Sequence, residues 1–372
     1  MKNKNRKPFD FWIFASVILL LSIGTIMVFS SSYYFSVKTV GNSFHLLIPQ
    51  LEYMALSIIV LIVTMNFDYR KWGKLSPLIL MVCIGLLILV LIPGVGTELN
   101  GAQRWLIIAG QSLQPSELAK IALIIFLSFS LSKRKEVLQS FKKGLLPYLL
   151  LIGLVAGLVL KEPHLSGALI IITTSCVILF CAGAKISHFV ALTVPGIIGV
   201  LGLIVFEPYR FGRLKAWINP FAPEYIMDEG WQTVQSLLAI GSGGLFGRGL
   251  GQSMQKYLYI PEPYNDYIFA VMAEELGYVG SIFVMLLFLV FIWRGIKVAM
   301  NAPDIFGSLV ATGITALVGL QFLFNVAVVT NSIPSTGISL PFFSYGGTSL
   351  IFLMFGVGIL LNISRFSNYE RF

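Results

Sequence analysis

Residues 257–293 read YLYIPEPYNDYIFAVMAEELGYVGSIFVMLLFLVFIW. The stretch passes from a polar, aromatic loop into a mostly apolar run, about 267–293, longer than the roughly 20 residues a helix needs to cross a bilayer. Four carboxylates, Glu262, Asp266, Glu274 and Glu275, lie within it, in a chain with 17 acidic residues in all. Asp266 stands where the loop gives way to the apolar run. A carboxylate at a membrane boundary is costly to desolvate, so Asp266 is the first functional candidate.

Outward from this stretch the same pattern recurs. Apolar runs fall at about 11–30, 46–65, 75–93, 116–132, 145–160, 166–182, 188–206, 267–293, 306–330 and 345–364. The 372 residues are 56% hydrophobic and 12% charged, with a mean hydropathy of +0.85; soluble domains carry about 25% charged residues. Backbone polar groups must be satisfied inside lipid, so the runs are helices. The expectation is an all-α polytopic membrane protein, one domain over 1–372, with about ten transmembrane helices. The first run is long and lacks a clear small-residue cleavage site, so it reads as a helix rather than a signal peptide.

Seventeen of the 26 Lys and Arg fall in the connections on the side of the N-terminus and eight in those on the other side. This bias predicts both termini in the cytoplasm and one long external loop, about 207–266, between helices 7 and 8. The formal charge of +9 is explained by such flanking residues and by anionic lipid; nucleic acid is not an expected partner. Cys83, Cys176 and Cys181 all lie in apolar runs without metal or redox spacing, and His45, His164 and His188 fall in three separate connections.

Several polar groups resist the membrane. QSLQPSELAK, 111–120, puts Glu117 and Lys120 three apart on one helical face. Pro115 suits a first turn, and Ser112 or Ser116 could cap it. The pair either neutralises itself at a helix end or lines a cavity, with Lys120 offering charge to an anion; intramembrane pairs usually face an interior, which favours the cavity. NGAQRW, 100–105, sets Arg104 beside Trp105 at the interface, suited to a lipid head group or a phosphate. Lys161, Glu162 and His164 share a short turn. The loop opens with Arg210, Arg213 and Lys215, continues with a helix-like stretch at 229–240 suited to the membrane surface, and reaches GSGGLFGRGLGQ, 241–252, read as a tight re-entrant turn. Residues 333–349 are neutral and rich in Pro, Gly, Ser and Thr, suited to a sugar or a broken helix.

Six stretches together resemble the SEDS family (shape, elongation, division and sporulation) of peptidoglycan glycosyltransferases: IPGVGTELNGAQRW (92–105), QPSELAK (114–120), AGAKISHF (182–189), QSLLAIGSGGLFGRGLGQS (235–253), IPEPYNDYIFAVMAEELGYVG (260–280) and TGISLPFFSYGGTS (336–349). The wording of 235–280 is similar to the division and sporulation branch (FtsW and SpoVE) more than to the elongation branch (RodA). The resemblance implies polymerisation of lipid II, an undecaprenyl-pyrophosphate-linked disaccharide-pentapeptide, at the outer face of the bacterial cytoplasmic membrane, beside a class B penicillin-binding protein. It places the essential Asp on Asp266 and the motif Glu and Lys on Glu117 and Lys120. Two positions depart from the family pattern: Tyr264 stands where a His is common, and His164 where an acid is common.

The chemistry so implied needs a base for the acceptor hydroxyl and cations for the pyrophosphate. Asp266 is the expected base, acting by inverting transfer. Arg104, Lys120, Arg210 and Arg248 are the expected cations, with Glu117 and Glu262 in support. A divalent cation (Mg or Mn) is an option and no organic cofactor is expected; Mg²⁺ takes few carboxylates plus substrate phosphates. Glu274 and Glu275 read as helix supports. The alternatives are a lipid II flippase, which would need polar groups at both faces and the midplane, and a non-catalytic scaffold.

Overall fold

A computed structural model describes residues 7–99, 102–108, 110–134, 138–205 and 208–367. Twelve helices follow one another: α1 (Phe11–Val40), α2 (Leu47–Asn66), α3 (Tyr69–Val90), α4 (Pro115–Ser132), α5 (Leu146–Lys161), α6 (Leu165–Cys181), α7 (Ile186–Val205), α8 (Pro208–Ile218), α9 (Trp231–Gly243), α10 (Ile268–Met300), α11 (Ile305–Val329) and α12 (Gly347–Ser364). A helix falls at each of the ten apolar runs. Among the described residues eight helical stretches are long and apolar enough to cross a membrane; they include α1 to α5 and α10 to α12. The apolar α6 is shorter, with 17 residues.

The helices start where short-range chemistry starts them. Asp10 caps α1, its carboxylate accepting from the Ile13 amide at 3.0 Å. Asp304 caps α11 through the Gly307 amide at 2.7 Å. Pro115 takes the first position of α4, but the capping residue is Gln114, whose side chain makes no bond to the helix's first amides. Neither serine caps: Ser112 is in a strand and Ser116 is already helical.

Helices α4, α11 and α12 make the centre: 72, 61 and 78% of their most apolar stretches are buried, against 22% in α2. Small residues bring backbones close. Gly24 of α1 lies against Phe342 and Phe343, where a Cβ would come within 2.5 Å of the Phe342 carbonyl. Phe288 and Phe322 stack at 4.3 Å between α10 and α11.

Three features depart from the expectations. Before α4 the chain forms an antiparallel meander, β1 (Thr97–Leu99), β2 (Ala102–Ile108) and β3 (Gln111–Leu113), so the all-α reading misses a small sheet. The helix-like stretch expected on the membrane surface is the helix α9, but it is packed inside the protein. It packs on α10 and α11, and buried Ser236 donates to the Val329 carbonyl at 2.7 Å. Its buried face carries Thr233, Gln235 and Ser236, which suit a protein interior with partners and not acyl chains.

The third departure is a break in α10 at Gly277 (φ +70, ψ −168). Residues 244–249 fold into the break. Tyr278 and Val279 amides donate to the carbonyls of Gly244 (2.9 Å) and Leu245 (3.1 Å), while Arg248 and Gly249 amides donate to those of Glu274 and Glu275, each at 3.0 Å. The approach requires glycine on both sides: a Cβ on Gly247 would lie 2.1 Å from the Glu275 carbonyl, and one on Gly277 2.1 Å from the Gly247 nitrogen. The expected re-entrant turn thus closes on a broken helix, supplying bonds that irregular backbone must find inside protein.

Candidate active site

Asp266 lies two residues before α10, at the positive end of the short helical segment that Gly277 cuts off. It is half-buried and faces a cavity of about 280 Å³. The walls come from β2 (Arg104, Trp105), the start of α4 (Gln114, Glu117, Lys120), the α5–α6 turn (His164, Ser166), the segment before α10 (Glu262, Asn265) and the neutral segment 337–349. Five residues expected from the sequence, Asp266, Glu262, Arg104, Glu117 and Lys120, therefore share one cavity.

Glu117 and Lys120 are both an ion pair and a wall. The Lys120 ammonium donates to Glu117 at 2.7 Å, and Ser349 of α12 donates to the other Glu117 oxygen at 3.1 Å. Lys120 is 5% exposed. Arg104 reaches across from β2, its Nε donating to the Glu162 carbonyl at 3.0 Å and its Nη2 to the Pro163 carbonyl. Glu262 takes a left-handed conformation (φ +49), where non-glycine residues are uncommon, and its carboxylate accepts from Asn265 at 2.8 Å.

Burial pushes the Asp266 carboxyl up to about 6, with nearby Glu262 adding to the rise. Its own amide, the Arg213 guanidinium and the Tyr267 amide pull the other way. A carboxyl so placed ionises close to neutral pH and accepts a proton well.

Of the other expected cations, one lies elsewhere and the side chain of the second is not among the described residues. Arg248 pairs with Glu274 at 3.2 Å, away from the cavity lining. Arg210 is the third residue of α8, and its side chain lies outside the described residues. Its neighbour Arg213 is the basic residue whose field reaches Asp266, and it donates to the Ser335 carbonyl at 3.3 Å.

Both departing positions are structural neighbours of the site. Tyr264 is buried, its ring 5.3 Å from that of Phe35 and 6.0 Å from that of Tyr345. His164 lines the cavity with Nδ1 3.4 Å from Gln114 Nε2 and from Ser116 Oγ. Burial, Arg104 and Lys120 hold its imidazole neutral, with a pKa lowered to about 3.

Glu162, two residues earlier, is fully buried with neither carboxyl oxygen hydrogen-bonded. Burial raises it to about 8 against the opposing field of Arg104. A raised acid stabilises the fold fully below its unfolded pKa and loses that contribution as pH rises to the folded value. The unfolding temperature of Glu162→Gln should therefore exceed that of wild type by a margin that widens from about pH 5 to about pH 8 and then levels. A constant margin across that range would place Glu162 in a wetter setting.

Glu274 and Glu275 serve the loop. Glu274 accepts from Ser253 Oγ (2.5 Å) and the Met254 amide (3.0 Å), and Glu275 from Ser30 Oγ (2.7 Å), the Gly251 amide (3.0 Å) and Lys256 (3.0 Å). Among the described residues no group of three or more His, Cys, Asp or Glu side chains is arranged to hold a metal ion.

The family described as cell cycle protein, FtsW/RodA/SpoVE, matches residues 11–369. The chain is 43% identical to stage V sporulation protein E of Bacillus subtilis, over 99% of this chain and all of that one. It is 39% identical to a probable peptidoglycan glycosyltransferase FtsW of Trichlorobacter lovleyi, over 96% and 95%. Among solved structures it is similar to a chain from a peptidoglycan synthase complex that coordinates polymerization and crosslinking (TM-score 0.79, 26% identity, 96% and 98% covered). It is also similar to the rod shape-determining protein RodA of Thermus thermophilus (TM-score 0.70, 27% identity, 97% and 98% covered). A match of this length, on a bundle of apolar helices with these motifs in order, means that the chain belongs to the FtsW/RodA/SpoVE family of multi-pass cytoplasmic-membrane proteins.

Proposed function

We propose that the chain is a peptidoglycan glycosyltransferase that polymerises lipid II into glycan strands at the outer face of the cytoplasmic membrane, both its termini lying inside. The observation that carries this reading is the meeting, in one cavity, of a half-buried carboxyl near neutral pKa with a buried lysine and an arginine. Asp266 takes the proton from the acceptor sugar 4-hydroxyl. The oxygen attacks the donor anomeric carbon, and the bond from that carbon to the lipid pyrophosphate breaks on the opposite side, inverting the centre. Lys120 and Arg104, with Arg213 beyond Asp266, meet the charge that develops on the pyrophosphate. The neutral segment 337–349 offers hydroxyls and backbone to the sugars.

A divalent cation arriving with the pyrophosphate would find Glu262 as a protein donor, phosphate oxygens completing its shell, and would neutralise leaving-group charge. The likeness to a peptidoglycan synthase complex supports a class B penicillin-binding protein as partner. Transport of lipid II across the membrane is the weaker reading, since the cavity's charges gather at one end of the bundle.

The reading is tested by glycan synthesis from purified lipid II with the class B partner present. Lys120→Met should lower the rate by about 10²-fold, the scale of one lost electrostatic contact at a developing charge, with thermal unfolding measured alongside. A wild-type rate from this variant would remove Lys120 from the chemistry.

A further inference from the structure

We propose that Asn325 is a positioning residue for glycosyl transfer, its amide tying the backbone of Asp266 to the opposite wall of the cavity. The inference rests on Asp266 being the base. Asn325 belongs to α11 and is fully buried. Its Nδ2 donates to the carbonyls of Asp266 and Ile338, each at 2.7 Å. Ile338 lines the cavity from the neutral segment.

That segment holds the two preceding carbonyls as well. Ser344 Oγ donates to the Asn265 carbonyl at 2.8 Å, and the Tyr345 amide donates to the Tyr264 carbonyl at 2.9 Å. The Leu340 amide donates to Ser344 Oγ at 2.8 Å, which aims the hydroxyl. Three consecutive carbonyls, 264 to 266, are each gripped by a donor from the span 325–345.

Two observations separate positioning from packing. Asn325 Oδ1 is buried without a hydrogen bond, a penalty that a leucine of similar size would not carry; the position uses the nitrogen. The two bonds of that nitrogen also end on two different walls, so they set the width of the site beside the carboxylate. Gly337 (φ +66) stands close enough that a Cβ there would lie 3.5 Å from Asp266 Oδ2. Without the amide the carboxylate shifts relative to the sugar-facing wall, and a misplacement of about 1 Å lowers a rate by about 10²-fold. Pyrophosphate capture at Lys120 and Arg104 does not depend on this bond, so kcat falls while KM holds.

The test compares wild type, Asn325→Leu, Ser344→Ala and Asp266→Asn as full chains with the class B partner, reading kcat and KM for lipid II. Asn325→Leu should lose about 10- to 100-fold in kcat and Ser344→Ala about 3- to 10-fold, with KM within about threefold of wild type. Wild-type kcat in both folded variants, or a loss seen only in KM, overturns the positioning role while an inactive Asp266→Asn keeps the base reading in place. An Asp266→Asn chain that polymerises normally removes the base and this inference with it. Should Asn325→Leu fail to fold, Ser344→Ala decides by the same split.

Discussion

Asp266→Asn is expected to lower glycan polymerisation by about 10²- to 10⁴-fold, the usual contribution of a general base, with the fold intact. Asparagine keeps the shape and cannot take a proton. The wild-type rate should rise with pH through about 6, where the half-buried carboxyl ionises, and flatten above it. The stability effect has the opposite sense. An acid raised from its ordinary value favours the folded state at low pH and loses that contribution as pH climbs to the folded pKa. The asparagine never ionises, so the variant should unfold at the same temperature as wild type or higher near pH 7.5. Full activity in the variant, or no limb near pH 6 in the wild-type profile, would remove Asp266 as base. Lost activity with a lowered unfolding temperature would make the residue structural.

Lys256→Met is expected to be the most destabilising single change near the site. Lys256 is 3% exposed and Glu275 1%, and they pair at 3.0 Å. Removing the cation leaves a buried carboxylate with only neutral donors, at a cost of about 3–5 kcal/mol. Glu275→Gln in the same chain removes the orphaned charge, and buried pairs replaced together are often close to neutral. The double variant should therefore recover most of the loss, a coupling that a double-mutant cycle on thermal unfolding measures. Equal losses in single and double variants would show that the loop is held by its backbone bonds instead. The pair fixes the far end of the segment, 268–276, at whose near end Asp266 sits.

The parts of the site that could be read from sequence were charges in the wrong place. Asp266, Glu262, Glu117, Lys120 and Arg104 stood out because an apolar chain has few reasons to hold them at membrane boundaries. Asn325 did not stand out, being uncharged within an apolar helix. Gly277 was hidden for a related reason: glycine is common in membrane helices, and only the arrival of Gly247 turns it into a break. The meander was invisible because two of its strands have three residues each, too short for an alternating pattern. Arg213 was seen only as part of a basic cluster, because its approach to Asp266 depends on the rotation of α8. The apolar runs marked the helices well because length and hydropathy alone determine them.

The grip on carbonyls 264 to 266 also has a consequence for timing. Chains are made from the N-terminus, and domains assemble as their parts emerge. Asp266 is synthesised well before Asn325, Ser344 and Tyr345, and Ser349, which holds Glu117, comes later still. From the moment Asp266 is made until Tyr345 follows, a nascent chain carries the acid and the lysine without the bonds that hold carbonyls 264 to 266. The cavity's polar wall is completed only once α12, which supplies Ser349, is in place, so its insertion is also the step that brings Glu117 to its hydroxyl partner.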